Sequence, residues 1–158
     1  MLLKEVLRKI ETILPADSAL EGDKIGLQIQ SGIVNVNKLL ITLEVTPEVI
    51  NEAIENKTDC IIAFHPLIYQ PLQNITNENR VGDLTEKLIK NSIALIVVHT
   101  TFDAFKEGTS KIMAELLELK VKDFLIPDNN YDERGMGIIA EPINDLTAEE
   151  LLNKVHHI

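Results

Sequence analysis

The stretch Cys60-Ile61-Ile62-Ala63-Phe64-His65-Pro66-Leu67-Ile68-Tyr69 decides the fold class. A short, wholly apolar run enters a histidine and then a proline. One other segment has the same form: Ile93-Ala94-Leu95-Ile96-Val97-Val98-His99-Thr100-Thr101-Phe102-Asp103. Strands that are apolar throughout, rather than alternating, are expected to be buried on both faces. That is the situation of parallel strands covered by helices.

Working outward, Val81, Leu84, Leu88 and Ile89 recur at helical spacing between the two runs, and Asn91 ends that helix. Upstream, Lys38–Val45 is a strand rich in branched residues. Thr46-Pro47-Glu48 then supplies a cap, a proline at the first helical position and an early acid. Its helix turns Val49, Ile50, Ala53 and Ile54 inward. Leu3, Val6, Leu7, Ile10 and Ile13/Leu14 form an amphipathic N-terminal helix stopped by Pro15, and Ile25–Gln30 reads as a short strand.

Downstream, residues 99–108 read as a loop, and Ile112, Met113, Leu116 and Leu117 as a helix. Val121–Ile126 and Met136–Ala140 read as strands, with Glu133-Arg134-Gly135-Met136-Gly137 a tight turn rather than a phosphate loop. Thr147-Ala148-Glu149-Glu150 is a capping box opening a last helix. Strands alternating with helices predict an α/β protein: a mostly parallel sheet with helices on both faces, in a single domain over 1–158. Apolar Leu151, Leu152, Val155 and Ile158 on the last helix lack a surface to cover, which predicts self-association.

The chain has 158 residues and a net charge of −10, which argues against a nucleic-acid binder needing clustered Lys and Arg. Cys60 is the only cysteine, so no intrachain disulfide forms, and it reads as a small buried hydrophobe. Charges interrupt the first 14 residues, so no secretory signal is expected there. No apolar run approaches the roughly 20 residues that cross a bilayer. The expectation is a cytoplasmic protein, without membrane or nucleic-acid partners.

In open α/β sheets, sites form beyond the carboxyl ends of the strands. His65 and His99 both follow their strands, so the fold is expected to bring them to one edge, with Asp103 in the loop beyond. Two imidazoles and a carboxylate suit a divalent Zn, Fe, Mn or Ni ion, which would acidify a bound water for hydrolysis. The plainer alternatives are a turn residue for His65 and a loop cap for Asp103. His156-His157 reads as solvent-facing residues or the end of a truncated helix rather than as a ligand pair.

Taken together, these residues resemble the Nif-three-like family, known in bacteria as GTP cyclohydrolase 1 type 2 homologues. The likeness runs through Leu20-Glu21-Gly22-Asp23-Lys24-Ile25-Gly26-Leu27-Gln28, Leu43-Glu44-Val45-Thr46, Phe64-His65-Pro66-Leu67, His99-Thr100-Thr101-Phe102-Asp103 and Gly135-Met136-Gly137. The resemblance implies an α/β fold with a dinuclear metal centre, in subunits assembling as a toroidal hexamer. It makes His65 and Asp103 metal ligands, and His99 a pocket histidine acting as acid/base or as a further ligand.

The chain also departs from the family pattern. Phe64 stands where the family has the first histidine of His-His-Pro. Gly22-Asp23-Lys24 replaces Trp-Asp-Asn, Glu44 replaces an aspartate, and Ile138 an arginine. The family's C-terminal histidine and glutamate have no counterpart, so the chain reads like an N-terminal portion of the fold. The resemblance leaves two functions open. One is a metal-dependent hydrolase or cyclohydrolase of a small nucleotide-like substrate. The other is a non-catalytic scaffold or regulatory module with a protein partner, whose dinuclear site has been lost.

Overall fold

The computed structural model describes residues 1–157; Ile158, and with it the last member of the predicted apolar stripe, lies outside the described residues. The chain divides into two compact units, Met1–Thr101 and Phe102–Ile158.

The first unit opens with α1 (Leu3–Ile13), followed after a 3-10 turn by β1 (Gly26–Ile29). Then come β2 (Leu39–Thr42), α2 (Pro47–Glu55), β3 (Cys60–Ala63), α3 (Arg80–Lys90) and β4 (Ala94–Val97). The strands form one sheet in the order β1-β4-β3-β2. The pairs β2–β3 and β3–β4 are parallel, as β-α-β crossovers require, and β1 joins β4 antiparallel. Both crossover helices begin on a side-chain cap, the first as expected from Thr46. Thr46 accepts the Val49 amide at the head of α2, and Asn79 accepts the Gly82 amide at the head of α3.

Apolar strands buried on both faces need two cores, and both exist. Ile61, Ala63, Leu95 and Val97 point into a core with Ile50, Ala53, Leu84 and Leu88 from α2 and α3. The alternate residues Cys60, Ala94 and Ile96 point the other way, onto Leu3 and Val6 of α1. Every residue of β4 is buried.

The β2 region departs from this expectation. The strand is Leu39–Thr42 rather than Lys38–Val45, and Ile41 and Leu43 are exposed. It is one of the two edge strands. Leu39 and Ile41 pair in register with Cys60 and Ile62, so they lie on the face covered by α1 alone. A single helix is narrower than a four-stranded sheet and leaves that margin bare.

The second unit contains α5 (Thr109–Leu116), β5 (Leu119–Pro127), β6 (Gly135–Pro142) and α6 (Ala148–His156). β5 and β6 pair antiparallel, from Leu119↔Pro142 to Pro127↔Gly135. The connecting turn, in which the Arg134 amide bonds to the Tyr131 carbonyl, falls earlier than expected, and Gly135-Met136-Gly137 lie in β6 rather than in a turn. Thr147 and Glu150 close a reciprocal capping box on α6. Leu152 and Val155 of that helix are exposed.

Between β4 and α5 the chain does not run as a loop throughout: α4 (His99–Asp103) is a short helix that spans the boundary between the units. Its formation follows the Thr101 amide bonding back to the Val98 carbonyl. No helix among the described residues is long and apolar enough to cross a membrane.

Candidate functional site

The parallel ladder does not stop at the last strand residues. Ala63 is in register with Val97. Beyond that pair the Val98 amide bonds to Ala63 and the His99 amide bonds to Phe64, both to the carbonyl. Two residues past the pair, His65 and His99 therefore lie abreast at the carboxyl edge. Their ring centroids are 5.9 Å apart. Phe64 completes a triangle, with its ring 5.0 Å from His65 and 5.5 Å from His99.

His65 is exposed, and its loop is anchored from β1. The Gln28 side chain donates to the Ile68 carbonyl (2.9 Å) and accepts the Ile68 amide (3.0 Å), as a paired strand would. At the same edge Glu44 turns to Arg80, which also donates to the Val45 carbonyl.

His99 is held differently. Its φ of +33° lies in a region sparsely populated by residues other than glycine. Its Nδ1 lies 2.7 Å from Oδ1 of Asp23, a carboxylate only 4% exposed. Oδ1 also accepts the Lys24 amide (2.7 Å), while Oδ2 accepts the Thr100 amide (3.2 Å) and the Thr100 hydroxyl. That hydroxyl in turn accepts the Leu20 amide at 3.0 Å. Burial is the largest single influence on Asp23 and pushes its carboxyl up. The hydrogen bonds from Thr100, His99 and Lys24 together outweigh it and hold the group below the ordinary carboxylate value.

Asp103 belongs to the second unit, where its Oδ1 accepts the Thr109 hydroxyl (2.5 Å) at the first residue of α5. Asp23 is the functional candidate that reading the site from its spacing misses. The signal for it was the acidic turn Glu21-Gly22-Asp23 ahead of β1, part of the family-like stretch but not assigned a role.

Among the described residues no three of His, Cys, Asp and Glu gather into a group able to hold a metal. A two-metal centre therefore does not fit the described chain. The His65–His99 edge offers two imidazole donors, their ring centroids 5.9 Å apart. One imidazole is solvent-accessible, and the other is backed by a carboxylate, as metal-ligating histidines commonly are.

The two-faced α/β sheet with a histidine pair at its carboxyl edge sets the class of protein. The family model described as Duf34/NIF3 (NGG1p interacting factor 3) matches residues 1–158, and the chain belongs to that family. It is 43% identical over 143 residues to a GTP cyclohydrolase 1 type 2 homolog of Listeria monocytogenes, covering 90% of this chain and 38% of the relative. It is 31% identical to a protein of the same name from Clostridium perfringens, covering 98% of this chain and 59% of that one.

Among solved structures, a Staphylococcus aureus hypothetical protein, SA1388, superposes with TM-score 0.88 at 25% identity, over 99% of this chain and 64% of that one. Reduced HcgD from Methanocaldococcus jannaschii superposes with TM-score 0.78 at 32% identity, over 99% and 60%. The chain thus spans about two fifths to three fifths of the length of these curated relatives.

Proposed function

We propose that this chain is a metal-binding member of the family with a reduced site, belonging to the hydrolase or cyclohydrolase class and acting on a small nucleotide-like substrate. The observation carrying this reading is the pair His65 and His99, abreast at the sheet edge with a buried carboxylate behind His99. His65 is assigned as a ligand and His99 as the proton-transfer group or an additional ligand; Asp103 is added as a ligand on the family likeness alone. A divalent ion bound there would acidify a water and supply a nucleophile near neutral pH. His99 has the complementary task of taking or giving a proton at its open nitrogen. By the same family likeness, the subunits are proposed to assemble as a homo-oligomer, hexameric in the family pattern, in the cytoplasm.

The test is elemental metal content per chain, on protein purified without an affinity tag, for wild type, His65→Ala and Asp103→Ala. Hydrolysis of GTP and other nucleotides is followed in parallel with His99→Gln. The reading expects metal that falls in both ligand variants, and turnover that falls in the His99 variant. No metal above background after reconstitution with Zn, Mn or Fe would overturn it. That outcome favours the second reading, a scaffold that has lost the site, for which the observation is Phe64 occupying one corner of the ring triangle.

A further inference from the structure

We infer that Asp23 is a positioning residue that locks His99 in a single tautomer, with the proton on Nδ1 and the lone pair of Nε2 turned to the site. The inference rests on His99 being the proton-transfer group, and it adds a residue to which neither sequence spacing nor family likeness assigned a role.

The argument is one of donors and acceptors. An ionised carboxylate only accepts hydrogen bonds. Oδ1 of Asp23 lies 2.7 Å from His99 Nδ1, so the ring must donate there. In a neutral imidazole the other nitrogen is then the acceptor. The carboxylate cannot rotate away from this duty. The Lys24 amide holds Oδ1, and the Thr100 amide and hydroxyl hold Oδ2. Thr100 is itself fixed by the Leu20 amide, and the carboxylate is 4% exposed, so water does not compete for it. The Asp23 carboxyl sits below its ordinary value, in keeping with an ionised acceptor.

Substitution at Asp23 makes the locking testable. In Asp23→Asn the side-chain NH2 must face one of two sets of donors: the Thr100 amide, or the Lys24 amide together with His99 Nδ1. When it faces Thr100, the amide oxygen still accepts from Nδ1 and the tautomer is kept. Alanine leaves no acceptor in either place, and it is therefore the discriminating variant.

The experiment is nitrogen NMR of protein carrying 15N-labelled histidine, at about pH 8 where an ordinary imidazole is neutral, with His99→Gln to assign the ring. Wild type is expected to show one neutral form protonated at Nδ1. Thr100→Ser, which keeps the hydroxyl, is expected to match it. Asp23→Ala, which removes the acceptor altogether, is expected to lose the single form, either to the Nε2-protonated ring or to a mixture. A wild-type His99 protonated at Nε2, or averaging between tautomers, would overturn the inference whether or not the alanine variant folds. An unchanged tautomer in folded Asp23→Ala would overturn it as well. The readout needs no turnover. A locked tautomer without hydrolysis counts against the proposed activity alone, and hydrolysis with the wrong tautomer counts against this inference alone.

Discussion

Replacing Phe64 by histidine should turn a two-imidazole edge into a three-imidazole metal site. With zinc–nitrogen bonds of about 2.1 Å and about 1.15 Å from nitrogen to ring centre, three imidazoles on a tetrahedral zinc place their centroids about 5.3 Å apart. The rings of Phe64, His65 and His99 are 5.0, 5.5 and 5.9 Å apart, which brackets that spacing. Asp23 already occupies Nδ1 of His99, leaving Nε2 to face an ion.

Loss of an outer-shell partner alone changes metal affinity about 10–100-fold, so a direct third ligand should reach the upper end, about 100-fold or ~2.8 kcal/mol. Phe64 is half-buried, so the exchange should cost the fold on the order of 1 kcal/mol. The assay is competition for zinc against a chromophoric chelator, with Phe64→Leu as the size control and Phe64→His/His65→Ala as the ligand control. A Phe64→His protein binding zinc no more tightly than wild type would refute the reasoning. It would mean that the ring nitrogens do not converge, whatever the spacing of the centroids.

Three further outcomes are expected. Asp23 has its pKa lowered from the ordinary 3.8, so its contribution to stability is complete above that value and is lost as pH falls through the lower folded value. Denaturant unfolding from pH 6 down to about 2 should therefore show a steeper acid loss for wild type than for Asp23→Asn. Parallel curves would contradict it. Cys60 is fully buried, and burial first, with the Asp59 charge second, pushes its thiol up to about 12. A thiol reagent at neutral pH should leave the folded protein unmodified and label it fully in denaturant. Gly82→Ala should destabilise the protein although alanine is the better helix former, by about 1 kcal/mol at least. A Cβ there would lie 2.4 Å from the Thr76 carbonyl oxygen, and a raised melting temperature would show that this loop yields freely.

Much of the first unit was legible because its strands are uninterrupted apolar runs. Cys60–Ala63 and Ala94–Val97 are buried alternately into two cores, and no other arrangement buries both faces of such strands. Capping at Thr46 and Thr147 marked helix starts for the same local reason, since a side-chain oxygen meets an amide within its own turn. The juxtaposition of His65 and His99 was also foreseeable. Both sit directly past strand ends, and parallel strands place their ends on one edge.

The misses came where the answer depends on a distant part of the chain. Lys38–Val45 has the composition of an inner strand, yet Ile41 is 78% exposed because β2 is last in the strand order and α1 does not reach it. The residues after His99 carry no strong helical pattern, and α4 forms there at the edge of the sheet.

Asp23 is the clearest case. The family-like stretch includes it, but its partner His99 lies 76 residues away. The sequence by itself determined the strands, the two buried faces and the edge on which the histidines stand, because periodicity and burial are properties of short segments. Only the tertiary structure decided which strand is exposed, which aromatic ring fills the third corner and which carboxylate holds His99. Those depend on the strand order and on loops folded back across it, and no local pattern carries that information.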